Sequence, residues 1–182
     1  MSYSLVNDAM TFVGRSLKNS LLTKQRQQVV PADPTRHFET SLFEFYMPWP
    51  WDTINPGLEG IDNDQELEGI ASAPRTDGDL AIFRVWYRPM NWAMNSVKPN
   101  QLKAELARVN NGRDARLERV LVGGVNGFLV GMTIPGDALL LYLEIPSPRH
   151  NTLVEGVFQA PGRQAQGYLT HLDTMLATWR WR

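Results

Sequence analysis

Between residues 117 and 159, four strand-like segments follow one another with very little chain between them, and this leaves the fold few options. The segments are Leu117–Val122, Val125–Ile134, Ala138–Ile145 and Thr152–Gln159. Gly123-Gly124 separates the first pair, Pro135-Gly136-Asp137 the second, and Ser147-Pro148-Arg149-His150-Asn151 the third. A parallel neighbour needs a crossover of a dozen residues or more, so connections this short predict antiparallel hairpins or a meander. Within the third segment, Leu139-Leu140-Leu141-Tyr142-Leu143 is apolar at successive positions. Side chains alternate between faces along a strand, so this one is apolar on both sides and belongs at the centre of a sheet covered twice.

The rest of the chain supplies what covers it. Pro99 to Val109 reads as a helix: Pro99 suits the first turn, Leu102, Leu106 and Val109 form a stripe, and Asn110-Asn111-Gly112 ends it. Residues from about Arg163 to Thr178 carry Ala165, Tyr168, Leu169, Leu172, Met175 and Leu176 at helical spacing, with Trp179 continuing the rhythm. Phe38 to Met47 alternates with period two, placing Phe43, Phe45 and Met47 on one face, until Pro48-Trp49-Pro50 stops it. In Leu80–Arg88, the set Ala81, Phe83, Val85 and Tyr87 faces a core, while Ile82, Arg84, Trp86 and Arg88 face a wetter side. Residues 52–68 read as a long acidic loop with no Lys or Arg, and a short strand is expected at Leu67–Ala73. Residues 3–25 read as a basic amphipathic helix closed off by Val29-Val30-Pro31-Ala32-Asp33-Pro34; the plainer reading packs it on its own domain, the sharper one makes it an appendage or swapped arm. The expected architecture is α+β: an α/β/α sandwich with a mostly antiparallel central sheet, residues 31–182, preceded by a helical extension over 1–30.

Composition removes several functions. The net charge is −1, so no overall field draws nucleic acid, and no apolar run approaches the ~20 residues that span a bilayer. There is no cysteine, which excludes disulfides, thiolate nucleophiles and cysteine metal sites. The first residues lack the basic start and apolar run of a signal peptide, which points to the cytoplasm.

The local order and phrasing resemble a known group. A strand ends in Phe43-Glu44-Phe45-Tyr46-Met47-Pro48-Trp49-Pro50-Trp51, and a strand then leads to a mid-chain helix over Leu102–Val109. A strand pair carries Val122-Gly123-Gly124-Val125-Asn126-Gly127-Phe128, and a closing helix ends Leu172-Asp173-Thr174-Met175-Leu176-Ala177-Thr178-Trp179. Over roughly residues 38–181 this resembles the PsbP-like superfamily, which takes in the Ran-binding Mog proteins, the DcrB lipoproteins and the DcrB-like chaperones of type VI secretion effectors. The resemblance implies an α/β/α sandwich used as a binding scaffold. It carries over no catalytic residue. The basic N-terminal helix and the acidic loop depart from the group.

Candidate chemistry is sparse. His37, His150 and His171 form no His-x-x-x-His or Glu-x-x-His pair, and His171, off the apolar stripe, reads as a surface histidine. Asp62, Asp64 and Glu66 alternate as calcium ligands do but lack the loop glycine and distal glutamate of an EF-hand, so a solvated acidic loop is the simpler account. No Gly-x-Ser-x-Gly elbow occurs, and Gly123-Gly124-Val125-Asn126-Gly127 suits a hairpin turn better than a phosphate loop. No cofactor is implied. The tryptophans Trp49, Trp51, Trp86, Trp92, Trp179 and Trp181 are the candidate partner-binding residues, because indoles bury much area at small entropic cost, although the same property suits them to the core. The reading is a non-catalytic protein-binding module: a secretion-associated chaperone, adaptor or immunity protein, its partner another protein or a second copy of itself. The alternative is a small-ligand protein or enzyme with a pocket between sheet and helix, using Arg84, Tyr87, Arg88 and Glu144.

Overall fold

A computed structural model describes residues 37–48, 51–54, 66–72, 81–90, 99–162 and 165–182. The described chain runs β1 (His37–Glu39), β2 (Phe43–Tyr46), β3 (Asp52–Ile54), β4 (Glu66–Ser72), β5 (Ile82–Pro89), α1 (Pro99–Val109), β6 (Arg113–Val122), β7 (Val125–Ile134), β8 (Ala138–Pro146), β9 (Thr152–Ala160), α2 (Ala165–Ala177) and β10 (Arg180–Trp181). The fold is mixed α+β. Seven strands form one sheet in the order β3-β4-β5-β9-β8-β7-β6, and β1-β2-β10 form a second. Every pairing in both sheets is antiparallel.

The short connections do what their length dictates. Gly123 and Gly124 both adopt positive φ, 55° and 82°, giving the signature of the two-residue hairpin turn whose twist matches its flanking strands. β8 is central, paired with β7 on one side and β9 on the other. Its alternate residues feed two separate apolar clusters, as its two-sided composition demands. Leu139, Leu141, Leu143 and Ile145 join the large core with α2, β2 and β5. Leu140 and Tyr142 join Val130 and Met132 in a small one, against which Leu102 and Leu106 of α1 pack. The two helices therefore lie on opposite faces of the seven-stranded sheet.

Four expectations need correction. Phe38–Met47 is two strands, because Thr40 breaks it: its Oγ1 accepts the amides of Leu42 and Phe43 and donates to the Phe43 carbonyl, making a local turn that competes with the ladder. Phe43, Phe45 and Met47 are all buried, as the alternation predicts. The region expected to be loop over 52–68 begins with β3, which borders β4. The strand expected from Leu117 starts at Arg113, before a register shift between Arg113 and Arg116 where Asp114 has φ 57°. Finally, β10 had no sequence signal: two residues pair with β2, and the Arg182 amide donates to the Leu42 carbonyl. The helix expected over 3–25 lies outside the described residues.

Candidate functional site

Register decides which side chains meet. Across the centre of the large sheet Trp86 stands opposite Glu155, and Glu155 opposite Glu144. All three project from the face that carries α1, together with Arg84, Tyr142 and Val157, which occupy matching positions on β5, β8 and β9. Tyr87, one residue on from Trp86, points the other way and packs against the large core. Of the polar residues suspected from the sequence, then, Arg84 and Glu144 share a face and Tyr87 does not. Arg88 alternates onto the Trp86 face by register; its side chain lies outside the described residues.

Glu155 organises this face. It is only 4% exposed, which would be costly for a carboxyl without donors. Its Oε2 accepts the Trp86 indole N–H at 2.7 Å, and its Oε1 accepts the Tyr142 hydroxyl. Glu144 Oε2 lies 3.4 Å from that same hydroxyl. The network fixes the orientation of Trp86, whose ring remains half-buried at the rim of the small core. Sequence reasoning flagged Trp86 and Glu144 but missed Glu155 and Tyr142. The signal available was Glu155 itself, a lone acid inside the apolar run Leu153-Val154-Glu155-Gly156-Val157.

The opposite face holds a second polar contact. Trp51 is fully buried against Phe158 and Tyr168, and its indole N–H donates to Nδ1 of His171 at 2.9 Å. The surface reading of His171 is thus revised: the ring is half-buried and ties the chain after β2 to α2. Burial pushes its pKa below the ordinary histidine value. An imidazole that accepts at Nδ1 must be neutral and carry its proton on Nε2.

The remaining tryptophans divide. Trp179 is buried, stacked on Phe43 with centroids 4.0 Å apart, and Trp181 is half-buried beside it. Their rings close over Gly123, where an added Cβ would lie 2.7 Å from the Trp181 indole nitrogen. Trp49, Trp92, Asp62 and Asp64 lie outside the described residues, as does the side chain of Glu66. Among the described residues no three His, Asp or Glu side chains gather where a metal ion would need them. No described helix is long and apolar enough to cross a membrane.

Comparison with known proteins bears on the architecture. No protein-family model and no curated protein matches the sequence. Among solved structures, cyanobacterial PsbP (CyanoP) from Synechocystis sp. PCC 6803 is similar, with a TM-score of 0.57 and 10% identity over 86% of this chain and 100% of that one. LpqN of Mycobacterium tuberculosis, involved in cell envelope biogenesis, aligns with a TM-score of 0.46 and 9% identity over 72% of this chain and 90% of its own. At such identities the likeness is one of architecture, and what it establishes is that this chain has a PsbP-like fold.

Proposed function

We propose that the chain is a non-catalytic protein-binding module, a chaperone, adaptor or accessory subunit acting in the cytoplasm, and that its partner docks on the α1 face of the sheet at Trp86. In this reading the domain is an α/β/α sandwich with residues 1–30 as a helical extension. One observation carries it. Trp86 is half-buried, and its indole is locked by a buried carboxyl on the less filled side of the sheet. A tryptophan already fixed in one orientation loses little entropy on binding, which is what makes rigid aromatics effective anchors. Two histidines support the reading, since their contacts lie within the fold: His171 accepts the Trp51 indole N–H, and His37 lies 3.6 Å from Glu39 and 3.4 Å from Glu44.

The test is a photo-crosslinking amino acid at position 86, irradiated in cells that express the protein from its own locus. A discrete protein adduct is expected, and Trp86→Ala should reduce capture of the same partner at least tenfold. Trp86→Phe, which keeps most of the ring area, should fall between them. A folded protein that gives no protein adduct from position 86 overturns the proposal.

A further inference from the structure

β6 is the outer strand of the seven-stranded sheet among the described residues, bonded to β7 on one side. An outer strand of this length is a template for another strand, and proteins blunt such edges with bulges and charges. β6 has both. The register shift between Arg113 and Arg116 distorts its first residues, and Arg116, Glu118 and Arg119 put charge on the regular part that follows. Those charges have an arrangement that blunting does not require.

The hairpin fixes which groups face outward. Val122 and Val125 bracket the two-residue Gly123-Gly124 turn, so they exchange hydrogen bonds as the closing pair. Bonded and non-bonded positions alternate from there, so the amides and carbonyls of Val120, Glu118 and Arg116 also point to β7. Those of Leu121, Arg119 and Leu117 point away from it. In an antiparallel pair of identical strands an outward residue must oppose an outward residue, so the twofold axis passes through a residue and never between two.

Few centres remain. An axis at Arg116 opposes two arginines and also sets Glu118 against Asp114. An axis at Glu118 opposes two glutamates, and one at Arg119 opposes two arginines. An axis at Leu117 opposes Leu117 to itself through outward backbone groups and sets Arg116 against Glu118 in both directions. Ala115 then faces Arg119 without a clash of charge. An axis at Ala115 would set Asp114 against Arg116, but it falls inside the register shift, where Asp114 leaves the extended conformation at φ 57°. On the regular part of the strand Arg116-Leu117-Glu118 is therefore electrostatically self-complementary in one register and repelled or unmatched in the others.

We infer that β6 pairs antiparallel with β6 of a second copy of this chain, centred on Leu117, joining two seven-stranded sheets into one. The interface lies at the opposite side of β9 and β8 from Trp86, so it extends the binding reading without using that face.

Sedimentation velocity across a dilution series tests it. The wild type should show a concentration-dependent dimer. Arg116→Glu and Glu118→Arg should each weaken self-association by roughly tenfold or more, because each turns two attractive oppositions into repulsive ones. The double swap should restore it. Arg119→Pro removes an outward N–H while leaving the β7 ladder intact, and should also give monomers. Circular dichroism identifies any variant that has simply misfolded. A wild type that stays monomeric at the highest attainable concentration, a dimer unchanged by both single swaps, or a double swap that fails to recover overturns the inference. Crosslinking from position 86 is unaffected by any of these results, so the two proposals fail separately.

Discussion

The two faces of the large sheet are built on different principles. The α2 face is almost wholly apolar and interlocked by rings: Phe38, Phe43, Phe45 and Trp179 stack in near-parallel planes, and Trp51 sets its edge against Tyr168. Among the described residues the α1 face buries four apolar side chains, Val130, Met132, Leu140 and Tyr142, and then a carboxyl. Its helix buries no residue completely, and Val109 at its end is 62% exposed. A sheet that spends its apolar material on one side leaves the other to be held by directional bonds. Directional bonds fix side chains in place at a modest net gain in stability. The difference teaches where to look for function: the α2 face holds the fold, and the α1 face has side chains positioned without being fully enclosed.

The contrast breaks most visibly under truncation. Phe83→Ala, in the large core, should cost about 3–5 kcal/mol, whereas Leu106→Ala, at the α1 contact, should cost about 1 kcal/mol. Urea unfolding of both variants measures this, and equal losses would mean that the faces carry comparable weight. A smaller effect sharpens the polar side. Glu155→Ala strands the Trp86 and Tyr142 donors and should cost about 2 kcal/mol, while Glu155→Gln, which keeps an acceptor, should recover part of it. Tryptophan emission should register the loosened Trp86 ring in the alanine variant. The smallest effect belongs to the α2 face. His171 is held neutral with a lowered pKa, so the unfolded chain takes up its proton first as pH falls. Stability should decline as pH drops below the ordinary histidine value of 6.5 and level off below the folded value. His171→Gln should remove that component of the pH dependence.

How much of this was legible depended on the range of the forces involved. α1 and β7 occupy the residues that periodicity and turn chemistry predict, Pro99–Val109 and Val125–Ile134, because both are bounded by local signals. The two-sided pattern of β8 likewise predicted cover on both faces of the sheet. Thr40 was a local signal too, but the apolar alternation around it masked the break. β10 was invisible because its partner β2 lies far away in sequence and two residues carry no period. The candidate site was half legible for the same reason. Trp86 stands out by composition, but its meeting with Glu155 depends on the β5–β9 register, which no local pattern encodes.

One closure in the structure has a consequence for synthesis. β2 pairs early with β1 but finds its second neighbour only in β10, and the Tyr46 amide is satisfied by the Thr178 hydroxyl, 132 residues further along the chain. A ribosome delivers Phe43 and Phe45 well before Trp179, so those rings have Phe38 beside them but lack their Trp179 cover until the last strand is made. Nascent chains of this protein therefore carry a sticky aromatic strand until residue 181 has emerged, and the interval in which holding factors matter most is set by translation speed rather than by folding rate.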